Sequence, residues 1–480
     1  LSDANPYLQI DQQMVGDIYT SSEPMDNLTV LCDDYGSRFG GTEGERQAAE
    51  MFVRKFKEYG LKRVKKESFP FAAWTRGAVS LEVTSPVRME IPCIALPYCP
   101  SATMETEMVF VGDGAPADFE AAGRRMKGRV VMATSRSPSG LGRNVHRSEK
   151  YARSALAGAA GFIFANHYEG LGPATGSIAD NREALIPGIS VSKEWGDYLI
   201  RLQHRKGPLT LRLKTRNRTR QKRSWNVLAD LPGTRWPDQW MVIGCHYDGH
   251  DISQGAHDPA SGMVVALEAA RVLSRYASDA LGCSLRFVAF GVEEIGLIGA
   301  REYVEAHLDE MPSIRFMLNL DAAGGKNRKG VVLNHVPEME PLLNLTRSHL
   351  KVDLPVGQKL IPFSDHYPFF EEGVPTAMMG DSEAAYTGRG FGHTAFDTLD
   401  KVRLSDLQDA AAVVSRLALR VSNEAKWPAK TRSAARVARI KKAEPSLAII
   451  EVEERLDRLY RRKGRGHAKG KSFGWSGKRR

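Results

Sequence analysis

The chain holds 480 residues, 42% of them hydrophobic and 26% charged, which excludes general disorder and exceeds one ordinary domain. No run approaches the ~18 apolar residues of a membrane helix, and five scattered cysteines (Cys32, Cys93, Cys99, Cys245, Cys283) exclude a disulfide scaffold or a Cys-rich zinc module. The net charge of +10 is uneven: residues 426–480 carry 18 Lys and Arg against 5 Asp and Glu, so everything before them is mildly acidic.

Residues 1–20 contain no signal-peptide core, and with Leu1 at the start the compartment stays open. Residues 7–60 follow helical periodicity around one Gly-rich corner, Ser37 to Glu45. Thr42 is placed there as an N-cap, with Glu45 three residues on as its capping-box partner. The helix expected over 43–59 sets Ala48, Phe52, Phe56 and Tyr59 on one face. From 76 to 222 the texture changes to short β-like runs, among them 107–111, 128–132 and 161–165, with an Ala-rich helical stretch at 148–160. A compact α/β insertion is expected, ending in the basic segment Lys214–Arg223, a linker or exposed strand. Beyond Ser224, apolar runs at 240–245, 284–290 and 316–320 alternate with helical patterns such as 262–274, as in a sheet covered on both faces. The fold class expected is therefore α/β, a mainly parallel central sheet flanked by helices. Residues 1–75 and 223–425 form its main domain, 76–222 an insertion, and 426–480 a basic tail. That tail is expected to be solvated and disordered apart from one amphipathic island near 447–460.

The chemistry gathers where the apolar runs end. The run 240–245 enters His246-Tyr247-Asp248, and a turn carries Asp258 to the next helix. The run 284–290 ends before Glu293-Glu294, and 316–320 before Asp321. Gly392-His393-Thr394 follows much later. Open α/β sheets place their sites outside the carboxyl ends of strands. Each residue alone reads more simply as a cap or a solvated charge. Together, two imidazoles and three carboxylates form a donor set that suits Zn²⁺ without a thiol. His250 and His257 read as turn-filling polar residues. Tyr386, in the Gly-rich loop before His393, is a candidate for an oxyanion or substrate contact.

The stretches His246–Asp248, Gly255–Gly262, Glu293–Gly299, Asn319–Asp321, Ser364–Phe369 and His393–Thr398 resemble the co-catalytic di-zinc exopeptidases, the family of leucyl aminopeptidases, glutamate carboxypeptidase and carboxypeptidase Q. The insertion resembles a protease-associated domain, particularly from Lys150 to Ile163. The resemblance implies two zinc ions bridged by Asp258, with His246 and Asp321 on one and Glu294 and His393 on the other. It implies Glu293 as general base and Asp248 orienting His246. Pro259 departs from the family pattern, where Asn or Asp is usual; it stiffens the turn. The implied reaction is hydrolysis of a terminal peptide bond, with an aminopeptidase favoured by the mildly acidic body. A carboxypeptidase or dipeptidase, or a one-zinc glutaminyl cyclase, are the alternatives on the same scaffold. The family resemblance also favours a secreted or periplasmic setting and leaves a homo-oligomer open. Outside the enzyme class, Arg461, Arg462, Lys463 and Arg465, with Phe473 and Trp475 further on, suggest a nucleic-acid or anionic-surface contact.

Overall fold

The computed structural model describes residues 4–326, 328–380 and 391–464. Its main sheet has eight strands, and the four at its centre are parallel. In spatial order these are Cys283–Phe290, Trp236–His246, Ile314–Asn319 and Thr376–Met379. On one side Cys283–Phe290 pairs antiparallel with Arg218–Leu231, which pairs in turn with Lys62–Thr75. The basic segment before Ser224 is thus the first half of an exposed strand rather than a linker. Val331–Leu333 and Val356–Gln358 complete the other edge.

Successive residues of a strand face opposite sides, and the central runs are apolar at both parities because both sides are covered. Met241, Ile243 and Cys245 share a core with Phe287, Phe316 and Leu318, under the helices Leu8–Thr20, Gly262–Tyr276 and Leu404–Asn423. Val242, Val288 and Met317 face the other way, toward Tyr303 and Phe369. The sheet is therefore held from both sides, and only its strand ends are free to present polar groups.

At the start of helix Glu43–Glu58, Thr42 accepts the Glu45 N–H at 3.3 Å, as expected of its cap. The reciprocal half of the box does not form. The Glu45 carboxylate turns instead to the Gly41 N–H at 2.5 Å and to the Ser224 hydroxyl. Burial pushes this carboxyl up to about 8, and the two hydrogen bonds only partly oppose it.

A second eight-stranded sheet is built from strands between Val79 and Thr215. Helix Arg147–Leu156 covers one face and Lys193–Lys206 the other. The first of these faces is not sealed off by itself. Its apolar cluster runs on through Phe39, Phe71 and Trp74 to Val292, Ile295 and Ile298 beneath the main sheet's loops.

Among the described residues the tail is ordered beyond the amphipathic island expected near 447–460, which agrees with the second of its two helices. Ala434–Ala443 and Ile449–Arg462 are helices. Val437 and Leu447 pack on Tyr367 and Phe370, while Val452, Leu456 and Tyr460 pack with Tyr151 and Ile178. Charge counting missed this because the basic residues occupy the outer face of helices whose apolar stripes are buried. Residues 465–480 of the tail lie outside the described residues. No helix among the described residues is long and apolar enough to cross a membrane.

Candidate active site

The parallel strands bring their terminal residues to one place. His246 ends its strand, Glu293 and Glu294 follow Phe290 by a short turn, and Asp321 lies two residues past Asn319. His393 reaches the same spot from the loop after Thr376–Met379. His246 Nε2 lies 3.4 Å from Asp258 Oδ1, 3.6 Å from Asp321 Oδ1 and 3.9 Å from Glu293 Oε2. His393 Nε2 lies 3.4 Å from Asp258 Oδ2 and 3.6 Å from Glu294 Oε2. One carboxylate, Asp258, thus turns its two oxygens toward two imidazoles.

These spacings are those of donors around a cation. Ligands about 2.0–2.2 Å from a tetrahedral ion stand roughly 3.3–3.6 Å from one another. The His246 tautomer agrees. Its Nδ1 is 3.0 Å from the Asp248 carbonyl oxygen, which can only accept, so Nδ1 carries the proton. Nε2 is buried and faces the carboxylates; burial disfavours its protonation, but Glu293, Asp248, Asp258 and Asp321 outweigh this and hold the imidazole's pKa well above the ordinary value. Electrostatics point the same way. Burial drives Glu294 up to about 8, with Asp258 adding to it and His393 opposing. Burial likewise raises Glu293, against relief from His246 and reinforced by Glu294 and Asp365. A carboxylate cluster that clings to protons is one that a cation relieves. The residues therefore fit a metal ion: among the described residues His246/Asp258/Glu294, His246/Glu293/Asp321 and His250/Glu294/His393 each bring three donor atoms within 4.8 Å of one another.

The bracing around the cluster differs in part from the sequence expectation. Asp248 does orient His246, but through its backbone carbonyl. Its carboxylate accepts the N–H groups of Glu293 (2.8 Å) and Glu294 (3.3 Å) and so fixes the turn that carries both. His250, expected to fill a turn, lies 2.9 Å from Glu294 Oε2 and 3.3 Å from His393 Nδ1. Burial pushes its pKa down to about 3, and with Glu294 and His393 it forms a further group of metal-competent donors. Asp365 and His366 are fully buried behind the cluster. There Asn319 donates to Ser364 Oγ at 2.6 Å, and Ser364 Oγ donates to Asp321 Oδ2 at 2.8 Å. Tyr386 lies outside the described residues.

Two further braces were not anticipated. Arg38 is fully buried and donates to the carbonyls of Leu31, Gly36, Tyr247, Gln254 and Gly255, tying the loop after His246 to the Gly-rich corner. Asp397 accepts the N–H groups of His257 (2.8 Å) and Asp258 (3.1 Å), setting the turn that presents Asp258. The backbone beside the donors is strained. Val292, Leu297, Ala322 and His393 all adopt positive φ, at 58°, 55°, 55° and 59°. Such conformations cost about 1–3 kcal/mol each, the β-branched Val292 being the least suited, and packing must hold them.

The cluster forms the floor of a cavity of about 440 Å³. Arg147 and Ser177 of the second sheet's region line one wall, Leu360 and Phe363 another, and Glu453, Leu456 and Tyr460 of the C-terminal helix a third. The roof presses closely on the floor: a Cβ at Gly296, whose φ is +136°, would stand 2.2 Å from Asp180 Oδ1.

A mainly parallel sheet with metal-competent donors outside its strand ends, enclosed by a second α/β unit, is the architecture of a metal-dependent enzyme site. The family follows from comparison. Residues 226–418 match the model of peptidase family M28 and residues 95–199 that of the PA domain. Residues 226–418 thus form a peptidase family M28 domain, preceded in the chain by a PA domain. Aminopeptidase YwaD of Bacillus subtilis (strain 168) is 28% identical over 416 residues, 84% of this chain and 85% of that protein. Carboxypeptidase Q of Xenopus laevis is 24% identical over 395 residues, 78% of this chain and 80% of its own. An aminopeptidase structure from Aneurinibacillus sp. strain AM-1 superposes with a TM-score of 0.66 at 26% identity, covering 88% of this chain and 97% of that one. A peptidase M28 precursor from Shewanella amazonensis SB2B, at 21% identity, shares the fold with a TM-score of 0.77 over 90% of this chain and all of its own.

Proposed function

We propose that the chain is a zinc-dependent aminopeptidase that holds two zinc ions. Asp258 would be shared between them, His246 and Asp321 completing one set of donors and Glu294 and His393 the other. The observation that carries this is the placement of the two Asp258 oxygens, each 3.4 Å from a different imidazole nitrogen. Paired zinc ions, when bound, act as Lewis acids that lower the pKa of a water and favour an oxyanion.

The remaining work falls to the chain. Glu293 lies at the edge of the donor cluster, its Oε2 3.9 Å from His246 Nε2, within reach of a water held there. It would take the proton of the attacking water and deliver it to the departing amine nitrogen. Asp248 holds the Glu293 backbone so that its carboxylate faces the site. His250 lies against Glu294, 2.9 Å from its carboxylate. Residues 76–222 form, in this proposal, the insertion unit that roofs the site, and a secreted or periplasmic setting accompanies the family.

The carboxypeptidase direction has one observation in its favour. Arg147 is a buried cation in the pocket wall whose charge is felt by Glu294 and Glu293, and a peptide's terminal carboxylate would suit it. A panel of aminoacyl-anilides, amino-blocked peptides and free dipeptides, assayed with added zinc, separates the two. Cleavage of the free-amine anilides supports the aminopeptidase; cleavage of the amino-blocked peptides from their carboxyl end would replace it with the carboxypeptidase.

A further inference from the structure

We infer that the C-terminal helical segment, residues 434–462, is a substrate-length determinant: it walls the catalytic pocket and confines the enzyme to short peptides. The inference rests on the peptidase reading above. Several of the cavity's lining residues lie in this segment, among them Glu444, Ser446, Glu453 and Leu456. They share the cavity with Glu293 and Asp258, so the wall and the chemistry belong to one space.

The segment is anchored at both ends, on two different bodies. At its start the Arg432 N–H donates to the Gly373 carbonyl at 2.8 Å, and Lys441 pairs with Glu371 at 2.5 Å. Val437 and Leu447 bury themselves there beside Leu297 and Leu360. At its end Asp457 pairs with Arg182 of the inserted domain, and the Arg182 guanidinium lies 3.6 Å from the centre of the Tyr460 ring. The Tyr460 hydroxyl donates to the Glu183 carbonyl at 3.2 Å. The chain therefore leaves the peptidase body, crosses the pocket and docks on the insertion. Cation–π contact and a largely buried ion pair hold more firmly than surface pairs do.

A cavity of about 440 Å³ falls in the range of small-ligand sites and takes a few residues, not a long extended chain. A longer peptide seated at Glu293 must either leave by another side or displace this helix. Because the wall is part of the same polypeptide and packed at both ends, displacement opposes binding of long substrates selectively.

The test uses the full chain with zinc and two unblocked substrates, a dipeptide and a decapeptide that share both terminal residues, followed by mass spectrometry. The double variant Asp457→Ala/Tyr460→Ala should free the helix and raise the decapeptide-to-dipeptide ratio of kcat/KM by about tenfold or more, on the scale of pocket discrimination. Leu456→Trp, which adds bulk on the wall, should lower the ratio. An unchanged ratio in both variants, with dipeptide turnover preserved, would overturn the inference. Should the double variant fail to fold by circular dichroism, Leu456→Trp decides alone. Failure of the wild type to cleave either peptide would instead refute the peptidase reading.

Discussion

His246 and Asp321 leave adjacent parallel strands at or just past their ends, whereas His250 and His393 sit on loops that no strand directs. The first pair is almost wholly buried and backed by the Asn319–Ser364 hydrogen-bond chain. The His393 side chain keeps 32% of its exposure, and its backbone carbonyl is held by the Thr175 N–H of the inserted domain at 2.7 Å. Close by, Arg76 grips Asp251 through two hydrogen bonds, at 2.8 and 2.6 Å. The inner half of the site is thus a product of the sheet. The outer half depends on contacts reaching across from the insertion, so the two halves should respond differently to damage.

The largest effect should come from the residue the halves share. Asp258→Ala is expected to lose both metal ions together and all measurable activity, as read by native mass spectrometry and turnover. Retention of one tightly held ion would break the symmetry assigned to Asp258. Next comes Glu293→Gln, which keeps size and backbone contacts but removes the proton acceptor. Its kcat should fall by roughly two to four orders of magnitude with metal content unchanged. If Glu293→Gln loses metal while Glu294→Gln keeps it, the roles of the two glutamates are reversed.

A smaller effect sharpens the contrast itself. His250→Ala should weaken only the outer ion, by about 10- to 100-fold, the usual consequence of removing a residue that orients a ligand. Zinc titration should then show one strong site unchanged and one softened, with activity restored by excess zinc. Equal weakening of both sites would mean that the halves are not separately braced.

The smallest effect concerns the brace at the Gly-rich corner. Glu45 has its folded-state pKa raised to about 8 from an ordinary 4.5, so its stabilising contribution is complete below about pH 4.5 and is lost as pH rises through about 8. Glu45→Gln removes that dependence. The Tm of the variant should gain on wild type by a few degrees between those pH values and level off above them, with metal content unaffected in both proteins.

The same contrast explains what was legible in the sequence. Buried parallel strands announce themselves as apolar runs, and a polar residue at the end of such a run stands out. His246, Glu294 and Asp321 could therefore be picked out, and Asp258 by its Gly-flanked turn. His250 could not, because nothing local distinguishes a loop histidine that orients a ligand from one that fills a turn. Arg38 acts more than two hundred positions away, through carbonyls that every residue possesses, so no residue pattern signals it. Asp248 was expected beside His246, but which of its atoms makes the contact is a matter of backbone conformation: the carbonyl lies 3.0 Å from Nδ1 and the carboxylate 3.8 Å. In the tail the island near 447–460 was legible from its apolar stripe, Val452, Leu456 and Tyr460, whereas net charge suggested solvation for Ala434–Ala443, which docks through Val437.

The left-handed residues beside the donors have a thermodynamic consequence. Val292, Leu297 and Ala322 are kept in costly conformations by packing, so the core sets the donor geometry at the expense of the fold's own stability. Ion binding then has little ordering left to do, unlike a zinc finger, whose folding and metal binding are one event. The chain should be folded without metal. Added zinc should raise its melting temperature only by mass action, about 1.4 kcal/mol of stability for each tenfold rise in free ion above Kd for each site. A mutation that relaxes the strain would therefore make the protein sturdier and the metal looser at once.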